Sequence, residues 1–299
     1  MKIVFMGTPD FAIPSLKILL DNGHQVAAVV TTPDKERGRG QKVTFTPVKE
    51  FALRNNIPVL QPVMLKDTEF ISRLKELNAD LFVIVAFRIL PKEVYTIPSK
   101  GSFNLHGSLL PKYRGAAPIQ WAIIKGEKET GVTTFFLQEK VDTGNIIISE
   151  RLPIMPEDSF GSLHDKMSEL GASVVLKTVK MIEEGNVPVS AQDDTMASPA
   201  PKITKETALI DWNRPAIEIH NLVRGLSPYP AAYFQHNGKI IKVYKSAISD
   251  KILKPGEIYQ TKTEAIAGTT QGSLSLLEVQ LEGRKRMGIE EFLRGFSFI

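Results

Sequence analysis

The stretch that decides the fold is residues 2–10, which read Lys-Ile-Val-Phe-Met-Gly-Thr-Pro-Asp. Its apolar, β-branched run ends at a Gly-Thr-Pro-Asp turn, and apolar residues at helical spacing follow between Phe11 and Leu20. A second β-branched run, Gln25–Thr32, comes next. This βαβ opening predicts an α/β fold built on a doubly wound, mostly parallel, Rossmann-like sheet.

The alternation of helices and strands continues along the chain. Helical patterns cover about Pro47 to Asn55 and Thr68 to Leu77, and strand patterns cover Leu81–Ala86 and Gly101–Leu105. Sheets of this class bind ligands at the carboxyl ends of their strands. The turn Gly7–Asp10 lacks the spaced glycines of a dinucleotide-binding fingerprint, so we expect no nicotinamide chemistry.

The length of 299 residues favours two domains, because one hydrophobic core rarely grows that large. Residues 185–205 are rich in proline and polar side chains and show no clear periodicity. Several short strand patterns follow Trp212 and predict a small OB-like β-barrel. We therefore predict a first domain at residues 1–188, a linker at 189–206 and the barrel at 207–299.

Composition excludes several classes of site. The chain has no cysteine, which rules out disulfides, thiolate metal sites and a Cys nucleophile. Its five histidines show no metal-binding spacing, so we expect no metal. The longest apolar stretch, Leu81–Phe87, is far shorter than the roughly 20 residues that cross a bilayer. With no targeting pattern at the start of the sequence, we expect a cytoplasmic monomer with no membrane partner.

Positive charge is concentrated in the last third of the chain. Residues 1–199 carry 23 Lys and Arg against 23 Asp and Glu, whereas residues 200–299 carry 14 against 10. This accounts for the net charge of +4. A balanced domain joined to a basic one suggests an enzyme beside a module that binds an anion, with nucleic acid the leading candidate.

The strongest candidate site is residues 104–118, Asn-Leu-His-Gly-Ser-Leu-Leu-Pro-Lys-Tyr-Arg-Gly-Ala-Ala-Pro. Asn104 and His106 are two apart at the end of a predicted strand, so their side chains share a face. An imidazole can donate to a developing oxyanion or carry a proton, and an amide can donate to the same oxygen. The alternative is a pair of structural polar residues at a strand end.

Two further residues bear on this site. Asp142 begins an Asp-Thr-Gly turn and could orient and polarise His106 or accept a proton from an amine, although Asp before Gly is also ordinary turn chemistry. Ser108 lacks the Gly-x-Ser-x-Gly frame of a hydrolase nucleophile. The Ser108–Pro111 loop is better interpreted as the wall of a flat apolar ligand site.

A long basic loop is predicted at residues 33–48. Strand-to-helix connections usually need 2 to 6 residues, whereas this loop is longer and carries Lys35, Arg37, Arg39 and Lys42. It is either a solvated insertion or a clamp for a phosphate backbone. A second basic cluster lies at Arg284–Arg286.

These motifs together resemble those of the methionyl-tRNA formyltransferases, a branch of the folate-dependent formyltransferase family. The Asn-x-His-x-Ser-Leu-Leu-Pro block with a downstream Asp-x-Gly is specific to the wider family. The basic loop and the C-terminal domain are similar to the initiator-tRNA branch, because a purine-pathway formyltransferase would end near residue 200. The resemblance covers almost the whole chain, and its motifs are Gly7–Ala12, Gly38–Lys42, Asn104–Pro118, Gln120 and Asp142–Gly144.

The resemblance implies transfer of a formyl group from 10-formyltetrahydrofolate to the α-amine of methionyl initiator tRNA, without a metal. It implies that Asn104, His106 and Asp142 form the reaction centre. The residues implied at the folate are Phe87, Ser108, Leu109, Leu110 and Pro111. Those implied at the tRNA are Arg37, Arg39, Lys42, Arg284, Lys285 and Arg286.

The sequence departs from the family pattern at Ala86–Pro91, which is one residue shorter and lacks a glycine. Because this segment lines the folate pocket in relatives, its geometry is an open question at this point. Two other functions remain open: formyl transfer to an amino sugar nucleotide, and RNA binding without catalysis. The intact candidate triplet argues against the second.

Overall fold

The computed structural model describes residues 1–37 and 42–298, which divide into two compact units. Unit 1 comprises Met1–Gly115, Gly131–Leu152 and His164–Pro199, and unit 2 comprises Ala116–Thr130, Pro153–Leu163 and Ala200–Ile299. Each unit therefore draws on several segments of the chain. The domain and linker bounds expected from the sequence stay a prediction.

The first elements alternate between strand and helix, as the sequence pattern predicts. None of the described helices is long and apolar enough to span a bilayer. In chain order, the elements as far as Glu184 are β1 (Lys2–Gly7), α1 (Ile13–Asp21), β2 (Gln25–Val30), β3 (Lys35–Arg37), β4 (Lys42–Thr44), α2 (Pro47–Arg54), β5 (Val59–Leu60), α3 (Thr68–Glu76), β6 (Leu81–Val85), α4 (Lys92–Tyr95), β7 (Ser102–His106), β8 (Arg114–Gly115), α5 (Pro118–Ile124), β9 (Glu129–Phe136), β10 (Ile146–Pro153) and α6 (Phe160–Glu184).

The remaining elements are mostly strands. They are β11 (Pro199–Ala200), α7 (Lys205–Ala208), α8 (Ala216–Leu226), β12 (Ala232–His236), β13 (Lys239–Ser249), β14 (Ile258–Gln260), β15 (Ala265–Gly268), β16 (Ser273–Leu281), β17 (Met287–Gly288) and α9 (Ile289–Leu293). Single 3₁₀ turns lie at Asp10–Ala12 and Asp194–Met196.

Unit 1 is built on a seven-stranded sheet in the order β10-β9-β7-β6-β1-β2-β5. The pairs β1–β2, β1–β6, β2–β5 and β6–β7 are parallel, and β9 joins β7 antiparallel. All five residues of β6 are buried, as expected of a strand covered on both faces. The predicted doubly wound, mostly parallel sheet is therefore confirmed.

Helix α6 fixes the two strands that matter most for the site. A Cβ on Gly171 of α6 would lie 2.6 Å from Leu105 Cδ2 on β7, so the helix packs closely against this strand. Buried hydroxyls of Thr134 on β9 and Thr178 on α6 are 2.8 Å apart. The helix thereby holds β7 and β9 in register behind Asn104 and His106.

The predicted basic loop contains a short β-ribbon. β3 and β4 pair antiparallel, with Lys35 opposite Thr44. The loop ends where α2 begins at Pro47, after the Thr46 side chain accepts a hydrogen bond from the Lys49 N–H. Gly38, Arg39, Gly40 and Gln41 lie outside the described residues, as do the side chains of Arg37 and Lys42.

Unit 2 contains an antiparallel sheet in the order β12-β13-β16-β15-β14, with β17 added beside β16. The long strand β13 shifts register against β16 on both sides of Lys245, and such irregularities bend a strand. The sheet curls around a core that includes Ile219, Leu222 and Val279. The predicted OB-like second domain is confirmed as a curled antiparallel sheet.

His220 on α8 is a half-buried titratable group inside unit 2. Its Nδ1 atom lies 3.0 Å from the Ser246 hydroxyl on β13. Burial lowers the pKa of His220 to about 4, and the positive charge of Arg224 acts in the same direction. The folded unit therefore favours the neutral imidazole, whereas an unfolded chain has an ordinary histidine pKa near 6.5.

We predict that unit 2 loses stability as the pH falls from about 6.5 to about 4, because the unfolded state takes up a proton that the folded His220 resists. With allowance for partial solvation of the ring, His220→Gln should remove roughly 1 to 2 kcal/mol of this loss. Urea unfolding followed by fluorescence measures it, because both tryptophans, Trp121 and Trp212, lie in unit 2. If the free energy of unfolding changes with pH in the same way in wild type and in His220→Gln, the prediction is wrong.

Candidate functional site

Asn104 and His106 lie on β7, where the parallel and antiparallel parts of the sheet meet. Asn104 is opposite Ile84 of β6 on one side and Phe135 of β9 on the other. His106 ends the strand opposite Thr133 of β9. As the spacing of two predicts, the two side chains leave the same face of the strand.

The imidazole of His106 is held between a backbone carbonyl and a carboxylate. The residue is 5% exposed, and its Nε2 atom lies 2.8 Å from the Tyr113 carbonyl oxygen. A carbonyl can only accept, so the Nε2–H donates and Nε2 carries a proton. Nδ1 faces Asp142, with Oδ2 at 3.8 Å. Proton exchange is therefore left to Nδ1.

Asp142 reaches His106 because its turn has an unusual backbone. Its φ of 54° lies in the left-handed region, which Asp tolerates better than most residues. A Cβ on Gly144 would lie 1.6 Å from the Phe136 carbonyl oxygen, so only glycine fits there. Asp142 Oδ2 accepts a hydrogen bond of 2.9 Å from the Gly115 N–H. The Asp-x-Gly motif thus has a geometric basis as well as a candidate chemical one.

The loop after β7 is fixed by buried hydroxyls. The Ser108 hydroxyl donates to the Lys112 carbonyl at 2.6 Å, and Ser108 is completely buried. Thr133 donates to the Ser108 carbonyl at 2.7 Å and accepts from the Leu110 N–H at 3.2 Å. The Leu110–Pro111 peptide bond is cis. Because the hydroxyl of Ser108 is engaged and inaccessible, it is not available as a nucleophile, and its contact with folate stays a prediction.

The Asn104 amide differs from these groups because it has no hydrogen-bond partner within residues 1–37 and 42–298. The side chain is half-buried at the sheet edge beside β6. Polar groups at such positions are usually paired. Asn104 therefore offers a donor to a ligand at the place where a doubly wound sheet binds one.

The segment that departs from the family pattern follows β6. Ala86 takes a φ of 50°, a conformation that glycine adopts more easily. The Arg88 guanidinium donates to the Pro62 and Val63 carbonyls at 2.7 and 3.0 Å and lies against the Phe87 ring. Burial lowers the pKa of Arg88. The shortened segment is therefore anchored by an arginine to the neighbouring loop, and Phe87 remains half-buried.

An open groove of about 600 Å³ lies beside this segment. Asn104, His106 and Asp142 do not line this groove, so it is distinct from the candidate site. Its walls are Leu65, Lys66, Ile89, Leu90, Pro91, Lys92, Glu93, Tyr95 and Glu139. Among the described part of the chain, no cluster of three or more His, Asp or Glu side chains could hold a metal.

The basic residues expected at the tRNA lie in two parts of the chain. Arg39 and the side chains of Arg37 and Lys42 are outside its described part. In unit 2, Arg284 and Lys285 are exposed. Arg286 instead donates to both oxygens of Glu278, at 2.5 and 2.6 Å, and lies over the Tyr244 ring. Its charge is already paired within the unit.

Sequence reasoning missed the groups that hold His106 and Asp142. The Tyr113 partner is a main-chain carbonyl, which a residue type cannot reveal. Thr133 belongs to a β-branched run that reads only as a strand. Gln192 donates to the Asp142 and Gly144 carbonyls at 2.9 and 2.8 Å from inside the predicted linker. Its proline-rich surroundings gave no sign of this contact.

Comparison with known proteins agrees with this architecture. The "Formyl transferase" family model matches residues 1–179, and "Formyl transferase, C-terminal domain" matches residues 202–297. A protein of Caldanaerobacter subterraneus named "Methionyl-tRNA formyltransferase" is 48% identical over 99% of this chain and 97% of its own length. A protein of Flavobacterium johnsoniae with the same name is 46% identical over 100% of this chain and 97% of its own length.

Two solved structures share the fold at lower sequence identity. A sugar 3N-formyl transferase, WlaRD, in the presence of dTDP and 5-N-formyl-THF, has a TM-score of 0.71 and 24% identity over 95% of this chain and 99% of its own. A methionyl-tRNA formyltransferase from Clostridium thermocellum has a TM-score of 0.59 and 16% identity, over 94% of this chain and 98% of its own. From both family models and the full-length relatives, the chain belongs to the formyl transferase family.

Proposed function

We propose that this protein transfers the formyl group of 10-formyltetrahydrofolate to the α-amine of methionyl initiator tRNA, producing N-formylmethionyl-tRNA for translation initiation. The observation that carries the proposal is the His106–Asp142 pair beside the unpartnered Asn104 amide. This site lies in a chain whose full-length relatives at 46 to 48% identity are named methionyl-tRNA formyltransferase. We also propose that the protein acts in the cytoplasm as a monomer.

A folate is a suitable formyl donor for the residues at this edge of the sheet. Leu109, Leu110 and Pro111 form a fixed, largely apolar loop after β7, and Phe87 follows the adjacent strand β6. Apolar walls with a few fixed polar groups suit a flat heteroaromatic ligand. WlaRD, which shares the fold, is described with 5-N-formyl-THF. When bound, the donor supplies the formyl carbon as the electrophile.

The protein's own contribution is a donor for negative charge and a path for protons. The nucleophile is the amine of the substrate, which agrees with the engaged hydroxyl of Ser108 and the absence of cysteine from the sequence. As the amine adds, Asn104 donates to the oxygen that gains charge. Since Nε2 of His106 is committed to Tyr113, the proton leaving the amine moves to Nδ1 or to the Asp142 carboxylate.

Asp142 has an oxygen available for this step. Oδ2 is occupied by the Gly115 N–H and faces His106, whereas Oδ1 has no hydrogen-bond partner in the described chain. The carboxylate is 12% exposed, which leaves it within reach of a substrate amine. The pair can therefore hold the proton until it returns to the leaving folate nitrogen.

The direct test of the proposed function compares two tRNAs. With 10-formyltetrahydrofolate, the protein should formylate methionyl initiator tRNA and leave methionyl elongator tRNA nearly unmodified. Acid-stable formyl-methionine released from each tRNA gives the two rates. Equal rates, or no formylation of either tRNA, would refute the proposal.

We expect His106→Ala and Asp142→Asn each to lower kcat by about 10² to 10⁴, the usual contribution of a positioned acid or base. Asn can still accept from the Gly115 N–H, so Asp142→Asn removes the charge while preserving the contact. His24→Gln is the matched control and should leave kcat unchanged, because His24 lies just before β2, at the opposite end of the parallel strands from His106. If His106→Ala binds tRNA and turns over normally, His106 is not part of the catalytic site and the proposed mechanism fails.

The basic loop should make the tRNA interaction depend on salt. Replacing Arg37, Arg39 and Lys42 by Ala should weaken tRNA binding and flatten the plot of log K against log salt by about one unit per lost phosphate contact. Filter binding from low to moderate salt measures the slope. The matched control replaces two arginines and one lysine elsewhere in unit 1, Arg54, Arg73 and Lys75.

An unchanged slope in the loop variant would refute a tRNA clamp. It would also favour a small acceptor such as an amino sugar nucleotide, because that reaction has no use for the loop. The fold similarity to the sugar N-formyltransferase WlaRD is the observation behind this second candidate. If this second candidate is correct, the loop variant should keep full activity with an amino sugar nucleotide as acceptor.

A further inference from the structure

The chain between α6 and β11 makes ordered contacts with both loops of the candidate site. We call residues Ser190–Ser198 the bracing segment. Ser190 and Ile146 exchange two backbone hydrogen bonds of 2.8 and 3.0 Å, which pins the segment beside the turn that carries Asp142. At the other end, the Arg114 N–H donates to the Ser198 carbonyl at 2.9 Å. The segment therefore links the two loops.

Gln192 in the middle of this segment uses its whole side-chain amide. Its nitrogen donates to the Asp142 carbonyl at 2.9 Å and to the Gly144 carbonyl at 2.8 Å. Its oxygen accepts from Nε and a terminal nitrogen of Arg114, at 3.1 and 2.7 Å. The orientation of the amide is unambiguous, because carbonyls only accept and a guanidinium only donates. No other side chain of this length can do both.

Ser198 provides a matching contact for the second loop. Its hydroxyl accepts from the Tyr113 N–H at 2.9 Å. Tyr113 has a φ of 61°, and this strained conformation directs its carbonyl to Nε2 of His106. Both partners of His106, the Tyr113 carbonyl and the Asp142 carboxylate, are thus attached to the bracing segment.

Within the turn that carries Asp142, the Thr143 hydroxyl donates to the Lys140 carbonyl at 3.0 Å, but the turn has little apolar packing. The side chains at residues 138–141 are exposed, and Val141 is 48% exposed, so apolar packing contributes little. Asp142 itself has a left-handed backbone, which an unsupported turn would leave readily. Polar contacts from Gln192 and from the Gly115 N–H are therefore the ones that tie Asp142 and Gly144 to the neighbouring loops.

We propose that Gln192 is a positioning residue that fixes the Asp142 turn against the Tyr113–Gly115 loop and so sets the distance between Asp142 and His106. The catalytic half of this inference rests on the function proposed above. Gln192 does not touch the reacting atoms; it acts through the two carbonyls of the turn. The bracing segment is on this account part of the active site and not merely a connection.

Two variants separate the roles of the amide. Gln192→Glu keeps an acceptor for Arg114 but replaces the donating nitrogen by an oxygen that faces two carbonyls. Gln192→Leu removes both contacts at similar size. Thr195→Ala is the control in the same segment, because among the described residues the Thr195 side chain bonds only to Asp193.

Hydrogen exchange and steady-state kinetics supply two independent readouts on the full-length protein. Both Gln192 variants should exchange faster at the amides of residues 142–145 and of Gly115, while Thr195→Ala matches wild type. Their kcat for methionyl initiator tRNA should fall about 10- to 100-fold, as expected when a catalytic group is misplaced by about an ångström. KM for tRNA and for 10-formyltetrahydrofolate should stay within about twofold of wild type, because on this proposal Gln192 acts through the Asp142 turn and not on either substrate.

Unchanged exchange in both variants would overturn the proposal, and so would faster exchange with a normal kcat. A general loss of folding would speed exchange throughout unit 1 and raise both KM values, which also counts against a positioning role. If wild type formylates no tRNA, the proposed function fails by itself. The exchange experiment still decides whether Gln192 holds the turn.

Discussion

The buried hydrogen bond from His106 Nε2–H to the Tyr113 carbonyl is the contact on which the rest of the site depends. It fixes the ring plane and places the proton on Nε2, which leaves Nδ1 as the atom that exchanges protons. The bond exists only because Tyr113 adopts a left-handed backbone that turns its carbonyl inward. A change in that loop would therefore alter the chemistry of His106 without touching the histidine.

On the opposite side of the imidazole, backbone groups likewise position the partner of Nδ1. Asp142 can face Nδ1 because Gly144 leaves room for the Phe136 carbonyl and because the Gly115 N–H orients the carboxylate. The loop of Gly115 and the turn of Asp142 come from distant parts of the chain. Gln192 and Ser198 tie them together from a third part. Three separate segments of the chain thus position the groups that contact the His106 imidazole.

Much of the fold could be predicted from the sequence because hydrophobic periodicity carries it. The run Lys2–Met6, the buried strand β6 and the short strands after Trp212 are all where their patterns place them. The face shared by Asn104 and His106 follows from strand geometry alone. That Asp142 lies beside His106 was a hypothesis from the sequence, since turn chemistry explained Asp-Thr-Gly equally well until the 3.8 Å separation was known.

Other features could not be predicted because they lie in the main chain or in contacts distant along the sequence. The Tyr113 carbonyl has no signature in residue type. The assignment of Ala116–Thr130 and Pro153–Leu163 to unit 2 has none either. Residues 189–206 were expected to be a linker, yet Gln192 within them has every amide hydrogen-bonding position engaged. The roles of the basic residues in the loop at 33–48 remain a prediction.

The orientation of His106 is tested most directly by its ring nitrogens. Long-range proton–nitrogen NMR spectra of protein labelled with ¹⁵N-histidine, assigned by comparison with His106→Ala, distinguish a protonated from a bare nitrogen. We predict that Nε2 of His106 carries a proton at every pH at which the protein is folded, with Nδ1 bare in the neutral form. A neutral His106 that carries its proton on Nδ1 would contradict the hydrogen bond to Tyr113 and the assignment of Nδ1 to proton transfer.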